Sequence, residues 1–349
     1  MFERVHAAME RALADRVFSA GVLLVADGGA PVVHRGYGAA ERLDTVFDLA
    51  SLTKALATSV AAMWLVDRGR LDPESPSWRY IGDLRRAGAQ DIRIWHLLAH
   101  ASGLPAWRPY YRSLRGAALV RAAAREPLEA VPGSRAVYSD LGFILLGRIV
   151  EKIARRRLDK LLRERIYGPL GLLRTFFVDL GGAARPDGPE RIAPTGRCGW
   201  RRRILRGEVH DENAAAMGGV AGHAGLFSTA HDVHLLCRAL AGAWAGERGG
   251  PVSPEAVRAF WTRRRVPGSS WCLGWDTPSP RGSSAGRGLR GAVGHLGFTG
   301  CSLWLDPKRA LWVVLLTNRV ALGREPNRLK PLRPRIHDLV MAALGSRRA

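Results

Sequence analysis

The pattern of apolar and polar positions predicts a helix and then a β-hairpin at the amino terminus. Residues 1–18 are amphipathic and polar, residues 20–26 form a short apolar run, and residues 31–37 are again typical of a strand. The tripeptide Asp27-Gly28-Gly29 between the two runs is typical of a tight turn. The first strands of the fold are therefore expected close to the start of the chain.

A longer helix is predicted for residues 51–68, which contain no glycine or proline and are apolar on most faces until Gly69. Such a segment is typical of a buried helix, and glycine is common just after a helix end. From about residue 92 to residue 240 the pattern stays mostly helical. Prolines and glycines separate helix-like runs at 97–98, 114–124 and 141–162.

The last third of the chain returns to strand patterns. Residues 294–305 and the strongly apolar residues 311–317 predict two strands around a turn at 306–309, and residues 334–344 predict a closing helix. Strands at both ends with helices between them predict an α+β fold, in which an antiparallel sheet built from both termini is flanked by helices. We expect a cleft between two domains: a discontinuous sheet domain of residues 1–66 and 221–349, and a mainly helical domain of residues 67–220.

The formal net charge is +22, from 53 lysine and arginine residues against 31 aspartate and glutamate residues. Taken alone, this charge favours a nucleic acid or an anionic surface as partner. Only five of the basic residues are lysine, and the arginines are scattered along the chain. The clusters at 155–157, 201–203 and 263–265 are not interleaved with aromatic residues on which bases could stack. We therefore expect a solvated basic surface and no nucleic-acid partner.

No apolar run approaches the roughly 18 residues that a membrane span needs, and residues 1–18 lack the basic start and apolar centre of a signal peptide. The four cysteines form no CxxC pair, so neither a zinc ribbon nor a redox dithiol is indicated. We expect a cytoplasmic protein with reduced, mostly buried thiols. The oligomeric state stays open.

Ser51 and Lys54 stand three positions apart at the start of the long predicted helix, within side-chain reach of each other. A serine hydroxyl needs a base that takes its proton, and a lysine amine can serve if its surroundings keep it partly neutral. The positive end of the helix disfavours the ammonium, and its amides can stabilise an oxyanion. An ordinary N-cap serine followed by a surface lysine has the same spacing, so the context must decide.

Tyr138 is the second candidate, at the entry of the apolar helix that starts near residue 141. Its phenol could act as a general base or acid if Lys54 stabilises the phenolate. The alternative is a packed tyrosine, with Asp140 as an ordinary N-cap.

His295 is the third candidate, because glycines alternate around it in the strand-like segment 294–300. It could donate a hydrogen bond to the reacting group. The amides of Ser51 and Phe298 could together form an oxyanion hole.

The motifs Ser-x-x-Lys, Tyr-Ser-Asp and His-x-Gly, in this order and at these intervals, resemble the serine β-lactamase family in its broad sense. That family includes class C β-lactamases, D-Ala-D-Ala carboxypeptidases and related esterases and amidases. The resemblance covers essentially the whole chain, through FDLA before Ser51, LLAHASGLP at 97–105, YSDLGFILLG at 138–147, HDENAAAMGGVAGHAGLFST at 210–229 and TGCSLWLDP at 299–307. It implies a β-lactamase/transpeptidase-like fold, Ser51 as nucleophile, Lys54 and Tyr138 as proton-transfer groups, and His295 with Gly297 on the strand that flanks the site.

Two departures from the family pattern bear on the substrate. Lactamases and carboxypeptidases usually carry asparagine at the position of Asp140, and Lys-Thr-Gly at the motif that here begins with His295. The change at His295 removes a cation that would attract a substrate carboxylate, and an anionic Asp140 in the cleft would repel one. Arg319, after the last predicted strand, could restore a positive charge near the site.

Other chemistry-bearing motifs have simpler interpretations. The sequence Gly282-Ser283-Ser284-Ala285-Gly286 matches the nucleophile elbow of α/β-hydrolases, but it lies in a polar loop at 281–291 and not between a strand and a helix. His96 and His100 have the spacing of a helical metal pair without the glutamate of zinc proteases. A denser cluster belongs to a segment that resembles a non-metal stretch of the family, so we expect neither metal nor cofactor; it contains His210, Asp211, His223, His231, Asp232 and His234.

The expected activity is acyl transfer to water from a small ester or amide, with an acyl-enzyme on Ser51. An esterase or amidase is favoured over a β-lactamase or a D-Ala-D-Ala carboxypeptidase. Because segment 210–229 resembles family members linked to cell-wall recycling, an intracellular muropeptide amidase is an alternative. A catalytically inactive basic binding protein is the alternative from another class.

Overall fold

Both ends of the chain contribute to one five-stranded sheet in the computed structural model, which describes residues 1–182, 189–279 and 282–345. Every neighbouring pair is antiparallel, in the order β2-β1-β10-β9-β8, so that β1 and β10 lie side by side. The strands of this sheet are β1 (Ala20–Asp27), β2 (Ala30–Gly38), β8 (Val293–Leu296), β9 (Ser302–Asp306) and β10 (Leu311–Thr317).

Five shorter strands form two small sheets. One sheet has the order β3-β7-β4 and the other pairs β5 with β6. Their bounds are β3 (Phe47–Asp48), β4 (Phe176–Phe177), β5 (Gly196–Cys198), β6 (Arg203–Leu205) and β7 (Leu226–Ser228).

Helices surround the central sheet and fill the middle of the chain. A π-helical turn, Lys54–Ser59, leads directly into α2. The helices are α1 (Glu3–Ala14), α2 (Val60–Asp67), α3 (Ile94–Leu98), α4 (Gly116–Arg125), α5 (Asp140–Ala154), α6 (Leu158–Leu162), α7 (Glu212–Ala216), α8 (Ala230–Ala245), α9 (Pro254–Phe260) and α10 (Leu329–Gly345).

The two faces of the central sheet are covered by different helices, because successive side chains of a strand point to opposite faces. In β10, Trp312, Val314 and Leu316 join the main core, which also contains α2, α5 and α8. The alternate residues Leu311, Val313 and Leu315 join a second core with α1 and α10. The continuous apolar run in β10 therefore reflects burial on both faces.

The hairpin, the helical middle and the strand at 311–317 are confirmed, and positive φ angles of 61° and 82° at Gly28 and Gly29 form the predicted turn. The single strand expected over 294–305 is wrong. The chain reverses between β8 and β9, where Gly300 has φ of 124° and Gly297 lies against the Leu49 carbonyl, closer than a side chain would permit.

Two helix predictions also need correction. The helix expected over 141–162 is two helices, because Arg155 adopts a left-handed conformation and ends α5. The closing helix begins at Leu329, and Pro334 lies inside it instead of starting it. The domain boundaries at residues 66 and 220 stay a prediction.

All four cysteines, Cys198, Cys237, Cys272 and Cys301, are free thiols and buried. In the part of the chain that the structure describes, no helix is both long enough and apolar enough to span a membrane.

Candidate active site

Ser51 follows a sharp backbone bend at the end of β3. Ala50 has φ of 47°, a left-handed conformation that is costly for a residue with a Cβ and is common at functional sites. The carboxylate of Asp48 stabilises the bend, since it accepts hydrogen bonds from the Ala50 amide at 2.8 Å and the His210 amide at 2.6 Å. Burial raises the pKa of Asp48 to about 6. The Asp48 carboxylate thus links the bend to the segment that begins at His210.

Lys54 is fully buried beside Ser51. Its Nζ lies 3.0 Å from Ser51 Oγ, 3.0 Å from the carbonyl oxygen of His223 and 2.6 Å from Asp140 Oδ1. These three acceptors, together with the nearby Tyr138 oxygen, provide partners for the hydrogens of an ammonium group. Burial opposes the charge, but Asp140 and Tyr138 outweigh it and raise the pKa of Lys54. These contacts favour an ammonium on Lys54 over a partly neutral amine. The choice between Lys54 and Tyr138 as the general base stays open, as it does in the sequence.

Tyr138 and Asp140, at the start of α5, both place their side chains beside Lys54. Ser139 is the N-cap, because its Oγ accepts a hydrogen bond from the Gly142 amide at 3.2 Å. The alternative of an Asp140 cap is therefore wrong, and the Asp140 carboxylate is free to pair with Lys54. Burial raises the pKa of Tyr138, while its contacts with Lys54 and Ser51 act in the opposite direction.

His295 lies on β8, and its ring is 6.1 Å from the ring of Tyr138. Its Nδ1 donates to the Leu296 carbonyl at 2.8 Å, because a carbonyl can only accept. Burial, with the nearby Lys54 charge, lowers the pKa of His295 to about 3, so that the ring is neutral. Nε2 then offers a lone pair, and it is buried with no hydrogen-bond partner among the described residues. The neutral ring therefore presents an acceptor at Nε2, and the donor role considered for His295 stays a prediction.

The two amides expected to form an oxyanion hole are both available. Within the described ranges, neither the Ser51 amide nor the Phe298 amide donates a hydrogen bond to a protein acceptor. Gly297 brings the β8–β9 turn against the nucleophile bend, since a Cβ there would lie 2.4 Å from the Leu49 carbonyl oxygen. The turn could not approach the bend as closely with any other residue at position 297.

These groups line a cleft of about 540 Å³. Its walls carry the aromatic side chains of Trp107, Trp271 and Phe298. Among the described residues, Arg324 is the lysine or arginine in this lining, and it is paired with Glu212. The buried Lys54 beside Ser51 is paired with Asp140. The lining contains two further acids, Asp211 and Asp276.

The structure does not bring Arg319 into the cleft. Its side chain is buried behind Phe298, where the guanidinium donates to the carbonyl oxygens of Arg324 and Phe298 at 2.6 and 2.9 Å. Arg324, which the sequence did not single out, is the arginine that lines the cleft among the described residues. Nothing in the spacing after β10 distinguishes the two.

The other candidate motifs are dispersed. Ser284 packs behind the sheet, where its Oγ accepts from the indole of Trp304, and Arg281 of the predicted loop lies outside the described residues. His96 is in α3 while His100 follows it. Of the dense cluster, His210 and Asp211 line the cleft, whereas His234 contacts Trp312. No group of three or more metal-binding side chains occurs in the described ranges.

Comparison with known proteins gives consistent results. A family model described as Beta-lactamase matches residues 5–335. A putative D-alanyl-D-alanine carboxypeptidase of Escherichia coli (strain K12) is 32% identical over 340 residues, covering 85% of this chain and 77% of that protein. An N-acetylmuramyl-L-alanine amidase of Bacillus subtilis (strain 168) is 31% identical over 347 residues, covering 86% and 77%. The class C β-lactamase of Rhodobacter sphaeroides shares the fold, with a TM-score of 0.75 at 21% identity over 97% of this chain and 99% of that one.

Proposed function

Because the chain belongs to the β-lactamase family of serine hydrolases, we propose that it hydrolyses an ester or amide bond through an acyl-enzyme on Ser51. The observation that carries this proposal is the contact between Ser51 Oγ and a buried Lys54 ammonium, with Tyr138 against both. A surface lysine one turn after an N-cap would show neither the burial nor the three acceptors.

The hydrogen-bond arrangement supports one assignment of the proton-transfer roles. Lys54 donates to Ser51 Oγ, so the serine hydrogen is free to point at the Tyr138 oxygen. Lys54 and Tyr138 together must lose one proton before Tyr138 or Lys54 can act as a base. Because the three acceptors around Lys54 stabilise its ammonium, they favour loss of this proton from the phenol of Tyr138. In this proposal the Tyr138 phenolate takes the serine proton, and Lys54 stabilises the phenolate.

The reaction then proceeds in two displacements. Ser51 Oγ attacks the carbonyl carbon while the oxyanion is held by the amides of Ser51 and Phe298. The leaving group takes the proton from Tyr138, which leaves an ester on Ser51 and a phenolate. Water attacks this ester after giving its proton to Tyr138, and the proton returns to Ser51 when the acid product leaves.

An esterase or amidase fits the cleft better than an enzyme for acidic substrates, because Arg324 in the lining and Lys54 beside Ser51 already have carboxylate partners. Within this class, the identity to a protein named N-acetylmuramyl-L-alanine amidase favours an amide of the muropeptide type. A D-Ala-D-Ala carboxypeptidase is the second candidate, since Arg324 could bind a substrate carboxylate if it left Glu212. The relative named as a putative carboxypeptidase favours this candidate.

The test is intact-mass measurement after exposure to a fluorophosphonate and, separately, to a β-lactam. We expect one fluorophosphonate adduct, its absence in Ser51→Ala, and its retention in Ser284→Ala, which removes the elbow-like serine. Parallel assays with an aryl ester, a muramyl-alanine amide and a D-Ala-D-Ala peptide separate the candidate substrates. A label that survives Ser51→Ala would overturn the assignment, and a wild-type protein without any label would favour the inactive binding protein.

A further inference from the structure

We infer that Asp211 and His223 are a positioning pair for Lys54, which fixes the backbone carbonyl that holds the lysine beside Ser51. The inference rests on the proposed function, because it assumes that a protonated Lys54 is needed for acyl transfer. It assigns a role to two residues of segment 210–229 that the mechanism above does not use.

The His223 carbonyl belongs to a loop that must be held in place by contacts with other segments. Residues 218–225 contain four glycines and no helix or strand, and glycine-rich backbone has unusual conformational freedom. The middle of the loop is held at Gly222, whose carbonyl accepts from Thr58 Oγ1 at 2.6 Å. Gly222 also packs directly on Gly147 of α5, since a Cβ on it would lie 2.8 Å from the Gly147 Cα. His223 is the next residue.

The side chain of His223 is held by Asp211. Its Nε2 lies 2.9 Å from Asp211 Oδ1, and because a carboxylate accepts, Nε2 is the donor. His223 Nδ1 is buried without a hydrogen-bond partner in the described ranges, so this contact alone orients the ring there. Asp211 is itself fixed as the N-cap of α7, where Oδ1 accepts from the Ala214 amide at 2.7 Å.

Asp211 also acts on Lys54 through its charge. Although burial acts against the carboxylate, His223, the Ala214 amide and the Lys54 charge together lower the pKa of Asp211. The other titratable groups facing Lys54 are Asp140 and Tyr138 from the start of α5, with His100 and His295. Burial lowers the pKa of both histidines, which favours neutral rings that do not add positive charge beside Lys54.

The pH dependence of kcat distinguishes positioning from simple stabilisation. Asp211→Ala and His223→Ala each weaken one of the three contacts that favour the ammonium, so the alkaline limb of the kcat profile should move to lower pH. We expect kcat to fall about 10–100-fold with KM within about twofold, the scale of a weakened hydrogen bond to a charged group. The double variant should be no slower than the slower single variant, because both substitutions break the same contact.

Conservative substitutions separate the two effects of Asp211. Asp211→Asn keeps an acceptor for His223 and Ala214 but removes the charge, so it should retain most of kcat with a smaller shift of the alkaline limb. His223→Gln keeps a donor and should recover part of kcat. Asp232→Ala is the control, because Asp232 is a buried acid in the first turn of α8 that accepts from the Arg174 amide and Thr175 Oγ1.

The experiment measures kcat, KM and the rate of fluorophosphonate labelling of the full chain from pH 6 to pH 11. An unchanged alkaline limb in the alanine variants, or the same shift in Asp232→Ala, would overturn the positioning role. If Asp211→Ala does not fold, Asp211→Asn and His223→Gln provide the same comparison with the helix cap preserved. A wild-type chain that is never labelled on Ser51 would refute the proposed function itself, which is a distinguishable outcome.

Discussion

The two ends of α5 carry charges in opposite settings. At its start, Asp140 pairs with the fully buried Lys54 beside the nucleophile. At its end, Lys152 and the exposed residues Arg155, Arg156 and Arg157 border an open groove of about 640 Å³. Most of the arginines at this groove also form salt bridges with carboxylates, such as that of Arg156 with Glu164.

The difference between the two ends shows that the location of a charge matters more than the number of charges. A buried ion pair leaves an uncompensated charge in a low-dielectric site when one partner is removed. An exposed pair is solvated by water and screened by salt, so that removing a partner changes little. We therefore expect the single buried lysine at position 54 to affect activity more than the net charge of +22 does.

The largest expected effect is at the buried end. Asp140→Ala should destabilise the protein by about 3–5 kcal/mol, the usual cost of removing one partner of a buried ion pair, and should slow fluorophosphonate labelling of Ser51. Asp140→Asn keeps the shape of the side chain and should be the milder variant. Urea denaturation followed by tryptophan fluorescence measures the change, and equal stability of Asp140→Ala and wild type would show that Lys54 does not depend on this partner.

An intermediate effect concerns the charge of the substrate. Aryl esters that differ only by a neutral, an ammonium or a carboxylate group should differ in kcat/KM. We expect the carboxylate ester to be about tenfold slower than the neutral ester, equivalent to about 1.4 kcal/mol, because the cleft lining includes Asp211 and Asp276 while Arg324 is paired.

Glu212→Gln sharpens this test, since it frees Arg324 at the mouth of the cleft. The variant should raise kcat/KM for the carboxylate ester and leave the neutral ester nearly unchanged. A carboxylate ester that is already the best substrate of the wild type would instead favour the carboxypeptidase candidate.

The smallest expected effect is at the exposed end of α5. Arg156→Ala removes the partner of Glu164 but should leave the urea midpoint and the labelling rate of Ser51 within experimental error, because both side chains are well exposed. Measurements at low and high salt provide the control. A loss of activity similar to that of Asp140→Ala would mean that the groove and the cleft are coupled.

The sequence predicted those features that depend on local periodicity and spacing. The interval of three between Ser51 and Lys54 brings both side chains together once the segment is helical. The run at 311–317 has the same bounds as β10. Tyr138 and His295 could be associated with this pair only through the resemblance to a family, because their proximity depends on the tertiary fold.

Features that depend on side-chain pairing across the fold could not be predicted. The contact of Asp211 with His223 joins a helix cap to a glycine-rich loop, and no spacing rule links them. The sequence does not distinguish Arg319 from Arg324. In the structure Arg319 is buried behind Phe298, whereas Arg324 lines the cleft. The protonation of Lys54 likewise required the positions of its three acceptors.

The buried cysteines provide the protein with its own probes of unfolding. Burial raises the pKa of Cys272 and Cys301 to about 12, and it also raises that of Cys237. A thiol reagent can therefore modify them only when the surrounding structure opens. Since Cys237 lies in α8, Cys272 follows the cleft residue Trp271 and Cys301 precedes β9, the order of their modification under native conditions would show which part of the molecule opens first.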